Sequence, residues 1–345
     1  MKILILDYGM PFNIDTPYNE PLGGSEISIL LLAKGLSELG HSVVLLNNTY
    51  KSYNNGKLII DSNRLAPEVI NDSDIVLLNR FIPDGIEQFK GKLYYYSHDA
   101  YDQQNVQWMV NKDKIKNFNK IFCVSEWQRE SFIKYLGVED KVIGVLPNLI
   151  DYSLYYGYVP RNNNKLIFAS IPYKGLQIIG DIFNDLCIKT QRDDLELHIF
   201  SSMKLYGDHE NDIKQYGEVF TKLSRTKNVF VKDPVSMKEL AYELMGSSIY
   251  LHPHSYHETF GRVYTESMAA GCIPVTSNKG AAREVICPDA QMVGPNLENI
   301  ETYNKYIELL RFYLDQDNYK LRLKLHEFAK QYDYIRVAQQ FLYNL

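Results

Sequence analysis

Short apolar runs recur along the chain, separated by loops or by stretches with helical spacing. The first, Lys2–Asp7, is closed by a charge and is far shorter than a signal peptide or a membrane segment, so it reads as a buried strand. A loop rich in Pro and Gly follows. The next periodic segment predicts a helix that begins near Ser25, a good N-cap, with Glu26 in its positive first turn. It ends before Gly40, where a left-handed residue costs least. His41–Leu46 then predicts a second strand, and Ile75–Leu78, Leu93–Tyr96, Ile121–Val124 and Val142–Leu146 predict four more, with helix-like stretches such as Glu126–Leu136 between them. This alternation builds a parallel sheet with helices on its faces.

Residues 151–164 hold neither period. They contain four tyrosines, Gly157, Pro160 and an Asn triplet, which marks a linker. A second α/β series follows, with strands expected at Lys165–Ala169, Leu195–Phe200, Asn228–Val231, Ile249–His252, Ile273–Thr276 and Gln291–Val293. Near the end, Ile335, Val337, Ala338, Phe341 and Leu342 fall at helical spacing, an amphipathic helix that must pack on something. The expected organisation is therefore a lobe over 1–150, a linker over 151–164, a second lobe over 165–328 and a closing helix over 329–345.

Length agrees with two lobes, since 345 residues exceed the usual single domain. No stretch reaches the ~18 uninterrupted apolar residues of a spanning helix, so the chain reads as soluble or at most peripheral. The net charge of −5 provides no global positive field for a nucleic acid. Cys123, Cys187, Cys272 and Cys287 are far apart and form no C-x-x-C pair, which disfavours a disulfide framework or structural zinc and fits a reducing cytoplasm.

Chemistry concentrates between His252 and Ile286. A strand ending at His252 leads through a loop into a helix opening near Gly261, and open parallel sheets bind ligands at such strand ends, where a helix N-terminus offers unpaired N–H groups to an anion. The loop around Glu258–Gly261 is thus a natural phosphate site. Thr259 adds a hydroxyl, and Gly261 permits close backbone approach. Glu258 and Glu266 bracket it. A carboxylate beside phosphate costs repulsion, but one that accepts hydrogen bonds from vicinal sugar hydroxyls has a use there. The plainer alternative makes Glu266 a solvated helix residue and Glu258 a favourable N-terminal charge.

Taken whole, the segment resembles the signature of retaining glycosyltransferases of the GT-B fold, the GT4-like family, E-x-F-G-x-x-x-x-E-[AS]-M-A-x-G-x-P-V. Glu258, Phe260, Gly261, Glu266, Ser267, Met268, Ala269, Gly271, Pro274 and Val275 match it. Gly280–Val285 is similar to the family's G-G-x-x-E-[VI] element, with alanine as the second residue. Gly23-Gly24-Ser25-Glu26 is similar to its G-G-x-E loop, and Pro147–Asp151 to its P-N-G-[VI]-D, with Leu149 in place of glycine. Ser170–Leu176 falls where the family has a strand end followed by x-K-G. The family's arginine upstream of that lysine is replaced by Ala169.

The resemblance implies two Rossmann-like, doubly wound lobes facing an interdomain cleft, with the C-terminal helix crossing back to the first lobe. It implies transfer of a sugar from a nucleotide diphosphate donor to a hydroxyl acceptor with retention, without metal or other cofactor. The first lobe would take the acceptor and the second the donor. By the same resemblance Glu258 holds donor-sugar hydroxyls, Glu266 the ribose, and the backbone of Thr259, Phe260 and Gly261 the diphosphate, with Ser170 beside them. Lys174 is the main cation for a leaving group that gains negative charge; for the missing arginine, Lys279 and Arg262 are the residues that could supply a second charge, which their positions alone do not decide. Gly23 and Gly24 approach the donor phosphates and the acceptor, and His98 lies near the donor's outer hydroxyls.

Other patterns read more plainly. His252, His254 and His257 lack the companions of a metal site and lead into the sugar-phosphate motif. The triplets Asp72-Ser73-Asp74 and Asp315-Gln316-Asp317 read as caps and turns rather than metal-holding pairs. Lys112, Lys114, Lys116 and Lys120 form a solvated face that could meet anionic lipid. An epimerase of the same two lobes and a non-catalytic sugar-binding protein are the alternatives to a transferase.

Overall fold

Eight strands form the first sheet: β1 Lys2–Asp7, β2 Ser42–Asn47, β3 Tyr53–Asn54, β4 Leu58–Ser62, β5 Ile75–Asn79, β6 Lys92–Ser97, β7 Lys120–Cys123 and β8 Ile143–Val145. In this computed structural model their order is β3-β4-β2-β1-β5-β6-β7-β8, and only β3 pairs antiparallel. The structure describes the backbone of residues 1–345 and all side chains except those of residues 65, 67, 68, 205, 206, 209 and 211. The chain divides into one unit of residues 1–17, 22–151 and 331–345 and another of residues 18–21 and 152–330.

In the first unit the inner strands are buried on both faces, which is why they read as unbroken apolar runs. The order reverses beside β1, so the carboxyl ends of β1, β5 and β6 flank a switch point. β3 and β4 were not expected from the sequence: Leu58–Ser62 is short and follows an Asn-Gly turn, and only pairing with β2 defines it. The first long helix spans Gly24–Glu38, and its N-cap is Gly23 rather than Ser25. Ser25 instead donates to the Glu26 carboxylate (2.7 Å). Gly40 closes the helix at φ +94°.

The final helix, Tyr334–Tyr343, packs within the first unit and buries Val337, Ala338 and Phe341. Phe341 meets the rings of Tyr94 and Phe122 at 6.1 and 5.5 Å. Its full burial contributes about 1.5–3 kcal/mol. The contact with Gly24–Glu38 is close because Gly35 has no side chain: a Cβ there would lie 2.8 Å from the Tyr334 carbonyl and 2.9 Å from Ala338 Cβ.

The second unit contains β9 Asn162–Ala169, β10 Glu196–Phe200, β11 Val229–Lys232, β12 Ser247–His252 and β13 Ile273–Thr276. All pair in parallel, in the order β11-β10-β9-β12-β13. β9 starts at Asn162, so the Asn triplet assigned to the linker begins a strand. The strand expected at Gln291–Val293 does not form; Val293 makes one isolated bridge to Ser277. Here too the order reverses beside one strand, β9, which sets the ends of β9 and β12 side by side. The helix Arg262–Ala269 follows β12, and two arginines hold its far end. Arg161 donates to the carbonyls of Ser247 and Ala270, and Arg322 to those of Ser248 and Gly271. Cations are favoured at a helix C-terminus. Among the described residues no helix is long and apolar enough to cross a membrane.

Candidate active site

In the second unit, β9 ends at Ala169 and passes through Ser170 into a turn, Pro172–Lys174, that is closed by Gly175 at φ +113°. A Cβ on Gly175 would meet the Pro253 carbonyl at 2.8 Å, so the turn presses against the loop after β12. That contact brings Lys174 to Glu258. Lys174 Nζ donates to Glu258 Oε2 at 2.9 Å, and Tyr256 Oη donates to the same oxygen at 2.7 Å. The Lys174 ammonium also lies 5.0 Å from the centre of the Tyr256 ring. Burial pushes the Glu258 carboxyl up, but the charge of Lys174 and the two hydrogen bonds outweigh it and hold the pKa down at about 2. Glu258 is therefore an anion, and Tyr256 is a partner that residue spacing did not reveal.

Backbone geometry fixes this carboxylate. The Glu258 carbonyl accepts from Ala281 N at 2.8 Å. Gly280, at φ +70°, crosses so closely that a Cβ would lie 2.3 Å from that carbonyl oxygen. Gly261, at φ +76°, is the N-cap of Arg262–Ala269 and lies over the Tyr264 ring, 2.3 Å from where a Cβ would be. The amides beside it thus open the helix towards the Glu258–Gly261 loop. Phe260 is buried and Thr259 half-buried.

Glu266, in the second turn of that helix, is wholly buried, and burial raises its pKa. Arg262 Nη1 forms an ion pair with Oε1 at 2.8 Å, and among the described residues neither carboxylate oxygen has a partner with hydrogen-bond geometry. This excludes the reading of Glu266 as a solvated helix residue. Lys279 is bound to the Ser255 carbonyl, and Ala169 gives the end of β9 no cation.

The histidines are neutral bases, His252 and His254 both shifted down by burial. The Thr276 hydroxyl donates to the His252 carbonyl (2.9 Å), so it accepts from Tyr264 Oη (3.1 Å), which in turn accepts from His252 Nδ1 (2.9 Å). His254 Nδ1 donates to the Tyr256 carbonyl at 2.8 Å. These rings brace the loop.

In the first unit, His98 follows β6, and its Nε2 lies 3.0 Å from Asn79 Oδ1. Burial and the charge of Arg80 hold it near pKa 3, so it is a neutral hydrogen-bonding group. Asn79 Nδ2 donates to Asp7 Oδ1 at 2.8 Å, and burial together with Glu26 pushes Asp7 up to about 7. Arg80, at φ +62°, grips Asp99 with two hydrogen bonds of 3.1 and 2.9 Å and Ser25 with one of 3.2 Å. Gly23 and Gly24 stand beside this group at the start of their helix, with Ser25 and Glu26 in its first turn. A Cβ on Gly9 would meet Glu26 Oε1 at 2.7 Å and Asp7 Oδ2 at 3.3 Å. Asp7, Asn79 and Arg80 were not singled out from sequence, although each falls at a strand's carboxyl end.

The remaining motifs lie elsewhere. Asp72 pairs with Lys2 and Asp74 accepts the Lys2 amide; Asp315 pairs with Arg311 and Asp317 caps Tyr319. Of the lysine group, Lys116 pairs with Asp113 and Lys120 donates to the Asn344 carbonyl, while Lys112 and Lys114 are exposed.

Residues 162–332 match the family described as glycosyl transferases group 1. The chain is 22% identical over 371 residues to the phosphatidylinositol N-acetylglucosaminyltransferase GPI3 subunit of Saccharomyces cerevisiae, a match covering 92% of this chain and 78% of that one. Its fold is similar to that of a glycosyltransferase from Rickettsia africae, with TM-score 0.73, 17% identity, and 99% and 97% of the two chains covered. It is also similar to Anabaena HepE in complex with UDP and glucose, with TM-score 0.70, 18% identity, and 100% and 99% covered.

Proposed function

Because this chain carries the group 1 glycosyltransferase domain and the GT-B fold, and is a glycosyltransferase, we propose that it moves a sugar from a nucleoside diphosphate sugar to a hydroxyl acceptor with retention of configuration and without a metal. The observation that carries this reading is the Lys174–Glu258 pair at the ends of β9 and β12, beside a helix N-terminus. A cation and free amides suit a diphosphate that gains charge as it departs. An ionised carboxylate suits donor hydroxyls, and the buried Glu266 suits a ribose diol. Thr259, Phe260, Gly261 and Ser170 line the phosphate path, and in the first unit Gly23, Gly24 and His98 are the residues read as meeting substrate.

In this mechanism the acceptor attacks the face from which the diphosphate leaves, through an oxocarbenium-like transition state, and the departing phosphate takes the acceptor proton. Lys174 carries the leaving charge; Glu258 orients the sugar. The acceptor is a glycan, a lipid-linked sugar or a small molecule. Exposed Lys112 and Lys114 support a peripheral contact with an anionic membrane surface, and the free cysteines support a reducing, cytoplasmic setting.

The test is incubation of the purified protein with nucleoside diphosphate sugars and an acceptor panel, with the anomeric configuration of the product read by proton NMR. A retained anomer in the presence of EDTA is the expected result. An inverted product, or activity abolished by EDTA and restored by manganese, overturns the corresponding part of the reading. Interconversion of the donor sugar without any acceptor would mark an epimerase.

A further inference from the structure

Arg262 is placed unusually for a cation. It is the first residue of the helix Arg262–Ala269, where the helix's own N-terminal charge is positive. Its pairing with Glu266 runs from arginine to glutamate along the chain, the poorer orientation of an i,i+4 pair. Yet its side chain is only 9% exposed, and apart from Glu266 it touches the sulfur of Met237, 3.9 Å from Nη1. The guanidinium thus covers one oxygen of a buried carboxylate by charge alone, and among the described residues neither oxygen has a partner with hydrogen-bond geometry. A vicinal diol fills a carboxylate best by donating to both oxygens, and one is occupied. At the end of β9, Lys174 is already paired with Glu258, and Ala169 supplies no second cation there.

We propose that Arg262 is an exchange residue. In the free protein it covers Glu266, and on nucleotide binding it yields that oxygen to a ribose hydroxyl and turns its guanidinium onto the diphosphate at the start of its own helix. The exchange couples the two halves of the ligand: the ribose frees the arginine, and the phosphates receive it. It rests on the reading of Glu266 as the ribose carboxylate.

The test uses the full chain and calorimetric or competition binding of a nucleoside and its diphosphate, with uracil and guanine as bases. Arg262→Met should bind the nucleoside several-fold more tightly and the diphosphate about tenfold more weakly, because one ligand no longer displaces the arginine and the other loses a charge-assisted contact. Both affinities falling together, or neither changing, overturns the exchange. Arg262→Lys should recover part of the diphosphate affinity.

A measurement on the unmutated protein guards against misfolding of the variant. The gain in affinity from adding the diphosphate should be larger for the ribonucleoside than for the 2′-deoxyribonucleoside, since only the former draws Glu266 away from Arg262. Equal gains overturn the proposal. Glu266→Gln separates the two ideas: nucleoside binding unaffected by that change sinks the ribose assignment itself, whereas weakened nucleoside binding without coupling sinks only the exchange.

Discussion

Lys174 and Glu258 come from segments 84 residues apart, yet their side chains share a hydrogen bond of 2.9 Å. Each changes what the other can do. The lysine keeps the carboxylate ionised in a buried place, and the carboxylate holds the ammonium in one position. Lys174→Met should therefore lower kcat about 10²-fold, the usual cost of removing one fixed stabiliser of developing charge. It should also raise the pKa of Glu258. Steady-state kinetics from pH 4 to 8 with saturating donor checks both, and unchanged turnover would remove Lys174 from the site.

Glu258 and Glu266 should fail differently. Glu258→Gln keeps the shape but loses the anion, so turnover should fall far more than donor affinity. Glu266→Ala should raise donor KM at least tenfold, with a smaller effect on kcat. Measuring kcat and KM for both variants decides the matter; the reverse pattern would exchange their roles.

Asp7 predicts a pH effect on folding. Its folded-state pKa of about 7 is above the ordinary 3.8, so the fold favours the protonated carboxyl. The associated stability is complete below about pH 4 and is lost progressively as pH rises to about 7, by a few kcal/mol at most. Asp7→Asn should flatten that slope between pH 5 and 7.5 in denaturant titrations. A parallel slope in the variant would assign the effect to other groups.

Two glycines should resist substitution for separate reasons. Gly280→Ala forces a Cβ to within 2.3 Å of the Glu258 carbonyl at a positive φ, so it should reduce both activity and melting temperature. Gly35→Val would separate the final helix from Gly24–Glu38 and cost about 1–3 kcal/mol, read by thermal unfolding. Full stability in either variant would contradict the packing described.

Most strands could be anticipated because a strand buried on both faces must be apolar throughout, as in Ile75–Asn79 and Leu93–Tyr96. Tyr53–Asn54 and Leu58–Ser62 escaped because their pairing partner, not their pattern, makes them strands. Val293 shows the opposite error: an apolar run at Gln291–Val293 found only one bridge. At the candidate site, Glu258 and Glu266 stand out through the resemblance of their segment to the family signature, and Lys174 through a separate resemblance around Ser170–Leu176. Tyr256 does not, because its role depends on a side-chain contact across a loop. Arg80 and Asp99 likewise meet only because neighbouring strands end together, and the Ser25 N-cap that local preference favours yields to Gly23.

The final helix has a consequence for synthesis. The first unit contains Gly24–Glu38 and Tyr334–Tyr343, so its apolar face stays open until Phe341 has left the ribosome. The second unit, apart from residues 18–21, is one uninterrupted stretch and can close earlier. The part of the chain made first is thus finished last. A nascent chain halted at residue 330 should present a protease-resistant second unit beside an unfinished first one.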